Sequence, residues 1–372
     1  MPEAIVVTGM RRVGKTTLLK QIYDNLQTEN KLFLDLENPV YQKYFEEENY
    51  EAIKYQLQVL GVDPGRRPYV FLDEVQQVRN APSVVKYLAD HYKWKFFLTG
   101  SSSFYLKNLF SESLAGRKIV YELFPLDFEE FLELKGSRVS IPQVVTETTY
   151  QTIIPLYREY LEWGGFPGVV TKGSVEEKKE MLGEIFTAYY EKEIVGIGGF
   201  RNSQLVRDLI LLLCGRIGGK VDASKLAGEL GVSRVTVGEY LAFLEGTYFV
   251  AFAPPFSSNR DIEVRGAKKF YLCDSGLANY LGKVSDGAVF ENLIFHQLRS
   301  RGKVRYYQRK SGVEIDFVIG DQEGWEVKLK GGKRDVERLS RLAGELGLSV
   351  GGVVSMEYVP GAKGKVMYGF QA

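Results

Sequence analysis

The chain has 372 residues, more than one hydrophobic core usually spans, so two to four domains are expected. Hydrophobic residues make up 45% and charged residues 26%, an ordinary globular composition that argues against disorder, and no run approaches the ~18 apolar residues of a membrane span. The net charge of +1 says nothing by itself about nucleic acid, but residues 257–372 carry 19 Lys/Arg against 14 Asp/Glu, so the C-terminal third is the part suited to a polyanion. The N-terminus reads as free of a secretory signal. Cys214 and Cys273 lie far apart in no metal-ligand spacing and read as reduced core thiols of a cytoplasmic protein. Two histidines, His91 and His296, leave little scope for histidine catalysis.

In chain order, Ala4–Thr8, Lys31–Asp35, Tyr69–Leu72 and Phe96–Leu98 are predicted as strands. Each is nearly all apolar, as strands covered on both faces must be. Helical patterns near 16–27, 50–60 and 83–92 separate them, and this alternation predicts a parallel α/β sheet over residues 1–125. Residues 126–200 read as mainly helical with a break at Gly164–Pro167. Residues 201–256 read as a small helical module followed by β-rich sequence, and residues 257–372 as mixed α/β. The Gly196–Gly199 stretch is the candidate hinge.

Gly9-Met-Arg-Arg-Val-Gly-Lys-Thr16 fits G-x-x-x-x-G-K-[ST], between a strand and an amphipathic helix. Glycines let the backbone curl so that N–H groups point at phosphate oxygens, and the helix N-terminus adds positive potential. Gly9, Arg12, Gly14, Lys15, Thr16 and Thr17 are therefore the expected phosphate cradle, with the Lys15 ammonium on the β/γ-phosphates and the Thr16 hydroxyl on Mg²⁺. The strand Tyr69-Val-Phe-Leu-Asp-Glu74 ends in two carboxylates. Asp73 is expected to support the Mg²⁺ and Glu74 to orient and deprotonate the attacking water. The next strand ends Thr99-Gly-Ser-Ser-Ser103, whose hydroxyls, Ser101 among them, are candidates for sensing the γ-phosphate. Arg117 is a candidate for stabilising the transferring phosphoryl group, on its own nucleotide or on a neighbour's. These features together predict ATP binding and hydrolysis.

Ala223 to Glu245 reads as helix, Gly231 turn, helix. Ser233 is the expected cap, and Val237, Tyr240, Leu241 and Leu244 form the buried stripe of the second helix. Tyr248–Phe252 reads as a wing strand. Double-stranded DNA is the partner such a module suggests, although the second helix offers only Arg234 as a base and also carries Glu239 and Glu245. Further on, Glu314 and Asp316 share one face of the strand Gly312–Ile319, and Glu326 and Lys328 share a face of Trp325–Leu329. A hairpin joining these strands brings Asp316, Glu326 and Lys328 together, two carboxylates for a divalent cation and a lysine to orient water. Arg299, Arg301, Lys303, Arg305, Arg309 and Lys310 form a basic run without an acidic neighbour, readable as a phosphate-backbone contact or as a solvated face.

The run Gly9–Thr16, Phe71-Leu-Asp-Glu-Val-Gln76, Thr99–Ser102, Leu114-Ala-Gly-Arg117, Glu122–Phe131 and Trp163-Gly-Gly-Phe-Pro167 resembles a family of archaeal and bacterial AAA-superfamily ATPases. The resemblance extends over nearly the whole chain. It implies a P-loop AAA-type ATPase core (1–125), a helical lid (126–200), a winged helix-turn-helix (201–256) and a C-terminal domain related to PD-(D/E)XK nucleases, that is, restriction-endonuclease-like (257–372). It implies ATP and Mg²⁺ as cofactors and, by analogy with AAA relatives, a homo-oligomer. Asp316, Glu326 and Lys328 resemble the nuclease D…E-x-K set, and Glu291 resembles that fold's additional acidic helix position. Only eight residues precede Gly9 where the family usually has more, and Met10 stands where a proline is common.

Overall fold

A computed structural model describes residues 3–100, 116–257, 259–361 and 364–372. It divides into two compact units, one of residues 1–124 with 246–248 and one of residues 125–245 with 249–372. The expected boundary near residue 125 falls at this division. The expected boundaries at 200 and 256 lie inside the second unit.

The first unit is a five-stranded parallel sheet of β1 (Ala4–Thr8), β2 (Lys31–Asp35), β3 (Tyr69–Asp73), β4 (Lys95–Gly100) and β5 (Lys118–Glu122), in the order β2-β3-β4-β1-β5. Alternate residues of these strands feed two apolar layers. Val6, Leu34, Val70, Leu72, Phe96 and Leu98 meet Ile53, Leu57, Val84, Val85 and Leu88 from the helices Tyr50–Val59 and Ala81–Tyr92. On the other face Val7, Phe71 and Phe97 meet Leu19 of the helix Lys15–Asn25, with the Phe71 and Phe97 rings stacked at 4.5 Å. Burial on both faces is why these strands carry almost no polar alternation. β2 and β5 are the edge strands: Lys31, Leu32 and Phe33 of β2 are half-buried, and Val120 and Tyr121 of β5 are exposed.

The second unit begins with the helices Phe128–Leu134 and Glu147–Trp163, packed against each other through Phe128, Phe131, Tyr157 and Tyr160, followed by the helix Val175–Tyr189. Tyr190–Val195 is a π-helical turn that leads into Gly196–Gly199, the expected hinge. Three helices follow, Ser203–Cys214, Ala223–Leu230 and Arg234–Gly246, and then β6 (Val250–Ala253) paired antiparallel with β7 (Lys269–Leu272). Ser233 Oγ accepts from Thr236 N–H at 3.0 Å, and Val237, Tyr240, Leu241 and Leu244 are buried as the spacing predicts. A second five-stranded sheet runs β12-β11-β10-β9-β8, from β8 (Val304–Gln308), β9 (Glu314–Ile319), β10 (Glu323–Lys328), β11 (Ser349–Ser355) and β12 (Val366–Tyr368). The helix Lys333–Glu345 buries Leu339 and Leu342 against Ile315, Val318 and Val353 of this sheet. Tyr150 OH donates to Met356 O at 2.8 Å, and Gln371 Nε2 donates to Pro142 O at 2.9 Å, so the last strands are tied back to the first helices of the unit.

The Gly164–Pro167 break is a junction. Asp274, almost fully buried, caps the helix Ser275–Leu281 through the Leu277 N–H at 2.9 Å and also accepts the Gly165 N–H at 2.7 Å. Burial pushes its carboxyl up to about 6, against the backbone N–H bonds that favour the anion. A β-carbon on Gly276 would stand 2.0 Å from the Trp163 carbonyl oxygen, a contact that only a main-chain shift relieves. Gly276→Ala is therefore expected to cost about 3 kcal/mol, the upper part of the overpacking range, read as a lowered urea midpoint. An unchanged midpoint would mean that the junction yields freely.

No helix among the described residues is long and apolar enough to cross a membrane. Cys214 and Cys273 are buried free thiols, and burial pushes the Cys214 thiol up to about 12, as expected for inert core cysteines.

Candidate functional site

The C-terminal ends of β1, β3 and β4 carry the first group of expected residues. After Thr8 the chain turns through Gly9, at φ +152°, where a β-carbon would meet the Leu123 carbonyl oxygen at 2.1 Å. Only glycine fits this exit. Arg12 (φ 68°) and Gly14 (φ 101°) continue the curl into the helix Lys15–Asn25, whose N-cap offers no side-chain hydrogen bond to the first-turn amides. Amides left in this state at the end of a tight loop suit a phosphate group. Lys15 is buried, and its ammonium donates to Gly9 O at 3.0 Å and Met10 O at 2.9 Å, which folds the side chain back over the loop. Thr16 is half-buried and Thr17 exposed on the first turn.

Asp73 ends β3 and is buried. Glu74 follows in the left-handed region, φ 52° and ψ 48°. Such a conformation costs energy in a non-glycine residue and clusters at functional sites. The Thr99 hydroxyl ties the two acids together: it donates to Asp73 Oδ1 and accepts the Glu74 N–H at 3.0 Å. The strand-end threonine is thus engaged with the acids rather than held clear for a ligand. The Glu74 carboxylate is held by Gln76 and lies 3.7 Å from Arg11 Nη2. Burial raises its pKa, while the charges of Lys15 and Arg11 oppose the rise. The Arg11 contact was not read from the sequence, where Arg11 is one unassigned position of the motif.

Ser101 lies outside the described residues. Arg117 is not brought to the loop. It precedes β5, its carbonyl accepts from the Ala4 N–H at 2.8 Å, and its side chain pairs with Asp90 at 2.9 Å. Ala4 starts β1 and the loop leaves the other end, about 13 Å away at ~3.3 Å per residue. A role for Arg117 on the chain's own nucleotide does not fit this position.

A second group gathers on the β9–β10 hairpin. The antiparallel ladder pairs Trp325 with Phe317 and would next oppose Asp316 to Glu326. There the Val327 N–H instead donates to Asp316 Oδ2 at 2.8 Å. Lys328 Nζ lies 2.7 Å from Glu326 Oε1 and 3.7 Å from Asp316 Oδ2, so the three expected residues do meet. Glu326 is fully buried; burial first, then the Asp316 charge, push its carboxyl up to about 7 against the pull of Lys328 and Arg338. Glu291, on the helix Asp286–Leu298, accepts from Tyr271 OH at 2.8 Å and pairs with Lys269 at 3.3 Å. Lys269 is buried and lies 3.6 Å from Glu314, and the Asp316 charge acts on both Lys269 and Glu291.

Lys269, Tyr271 and Arg338 were missed in the sequence. The signals were present: Lys269 and Tyr271 alternate on one face of an apolar run, and Arg334, Arg338 and Arg341 recur at helical spacing. Among the described residues no three His, Cys, Asp or Glu converge on one metal position. The expected ligand set of Glu291, Asp316 and Glu326 is thus not assembled as a triplet, because a cation holds each outer carboxylate. The basic run is corrected more sharply. Arg305 is buried against Glu263 and Asp321, Arg309 pairs with Glu345, and Arg301 lies over the Trp325 ring, so these residues do not form one free basic face.

With this geometry in view, comparison with known proteins finds that residues 1–132 match the model of an AAA domain and residues 154–288 that of a domain of unknown function, DUF8612. The second match runs across both expected boundaries at 200 and 256. An uncharacterized protein of Haemophilus influenzae is 28% identical over 328 residues, covering 84% of this chain and 78% of that protein. An uncharacterized protein of Methanocaldococcus jannaschii is 28% identical over 325 residues, covering 84% and 71%. Among solved structures, the Aeropyrum pernix ORC1 protein in complex with DNA aligns over 80% of this chain and 89% of its own, at 13% identity and a TM-score of 0.37, too distant a likeness to speak to function.

Proposed function

From an AAA-type ATPase domain over residues 1–132, we propose that the chain binds ATP with Mg²⁺, hydrolyses it, and couples the cycle to a DNA-associated activity of its second unit. The observation that carries the ATPase reading is the Thr99 bridge, which fixes Asp73 and Glu74 together at the C-terminal end of the sheet, where Lys15 folds over the loop. Lys15 and the loop amides bind phosphate, and Glu74 takes a proton from water. Thr16 and Asp73 would hold Mg²⁺, whose charge offsets that of the phosphate oxygens.

For the second unit, we read residues 201–256 as a winged helix-turn-helix and residues 257–372, with the β8–β12 sheet, as restriction-endonuclease-like. Asp316, Glu326 and Lys328 on adjacent strands support a metal-dependent attack on a phosphodiester. The buried, unpartnered Glu326 Oε2 suits a cation, and two carboxylates with waters are a normal Mg²⁺ set. The expected result is Mg²⁺- or Mn²⁺-dependent nicking of plasmid DNA that Asp316→Ala abolishes, with a salt-dependent shift of duplex DNA by the full chain. The capture of Glu326 by Lys328 and Arg338 favours a second reading, a nucleotide-switched scaffold that does not cut. Absence of cleavage with either metal in every nucleotide state would select it.

A further inference from the structure

The proposal concerns Arg338 and rests on the reading of Asp316 and Glu326 as a divalent-cation site. Arg338 lies on the helix Lys333–Glu345, outside the D…E-x-K set, and reaches the hairpin from a separate element. Its Nη2 pairs with Glu326 Oε1. A guanidinium normally closes on a carboxylate as a two-armed fork. Here only one arm closes: Arg338 Nε and Glu326 Oε2 are both buried and neither has a hydrogen-bond partner among the described residues. Leaving a buried donor and a buried charged acceptor unmet is costly, and two such atoms at one contact mark it as exchangeable. The surroundings agree. Glu326 is fully buried, whereas the Arg338 and Lys328 side chains are 39% and 36% exposed, so the cations form the solvent side of the carboxylates.

We propose that Arg338 is a gate residue that competes with the divalent cation for Glu326 and leaves it for a phosphodiester. With Arg338 and Lys328 on Oε1, the carboxylate is already neutralised and binds a divalent cation weakly. A phosphate group offers the guanidinium a two-armed partner of the same charge. Once Arg338 turns to that partner, Glu326 is released to the metal. Metal and nucleic acid then bind with positive coupling, and the site stays unloaded without its substrate.

The test is Mn²⁺ binding to the full chain without nucleotide, read from the electron paramagnetic resonance signal of free Mn²⁺, with and without a short DNA duplex. Arg338→Ala is expected to bind Mn²⁺ about tenfold more tightly than the parent, the scale of one partly exposed charge-assisted contact. Arg338→Lys, which keeps the charge without the fork, should fall between. The duplex should tighten Mn²⁺ binding in the parent and leave Arg338→Ala unchanged. Weaker or unchanged binding in Arg338→Ala, with a native melting curve, would overturn the gate and make Arg338 a structural ion pair. So would a duplex that leaves the parent's Mn²⁺ affinity unaltered. Glu326→Gln separates the two levels. If it binds Mn²⁺ as the parent does, the cation-site reading fails; if it loses Mn²⁺ while Arg338→Ala is unchanged, only the gate fails.

Discussion

Glu74→Gln is expected to keep ATP binding and lose hydrolysis by about a thousandfold, within the ~10²–10⁴ range for removing a positioned general base. The expectation rests on where the side chain is held. Glu74 is buried, its backbone N–H is fixed by Thr99 at 3.0 Å, and its carboxylate is steered by Gln76 and Arg11. Burial lifts its pKa, which makes the anion a better proton acceptor than a solvated carboxylate. Glutamine has the same shape and keeps an oxygen for Gln76 and Arg11, so the strained turn should survive. Steady-state phosphate release together with equilibrium binding of a fluorescent ATP analogue checks both halves. Hydrolysis at the parent rate would remove Glu74 from the chemistry.

Lys15→Ala should weaken ATP binding by about a hundredfold, the scale of two lost charge-assisted hydrogen bonds. The Lys15 ammonium is folded onto the Gly9 and Met10 carbonyls, so it is poised within the loop and has little rotamer freedom to lose on meeting a phosphate. The variant also removes these two loop contacts, so folding and binding must be read together. Thermal melting with and without ATP and Mg²⁺ does this. The parent should gain Tm as ligand occupancy rises, and Lys15→Ala should melt as a folded protein and need about a hundredfold more ATP for the same gain. A ligand-dependent Tm shift equal to the parent's would place the phosphate elsewhere.

The first unit was largely legible in the sequence. Ala4–Thr8 is predicted to the residue because a strand buried on both faces is an unbroken apolar run, and Lys31–Asp35 because its Leu-Phe-Leu centre is apolar although it is an edge strand. β5, the other edge strand, was not predicted, and its Val120 and Tyr121 are exposed. Direction along a strand was also invisible: Arg117 stands close to strand sequence but at the end remote from the loop. In the second unit the alternation rule put Asp316, Glu326 and Lys328 on one hairpin correctly. What completes that site comes from elements far away in sequence, Arg338 from a helix and Lys269 from β7, and a local pattern cannot report them. The same reason hid the contacts that run across the expected boundaries at 200 and 256. Gly165 is bound by Asp274, a contact over 109 positions that no composition shift marks.

The bonds that tie Tyr150 to Met356 and Pro142 to Gln371 bear on how the chain is made. A ribosome delivers Pro142 and Tyr150 long before their partners, so these bonds, and the cover that Phe370 gives Tyr157, form only after residues 356–371 have been made. The sheet of the first unit has no such debt apart from residues 246–248. The first third of the chain can therefore acquire its sheet before the second unit, whose early and late elements are bonded to each other, is complete.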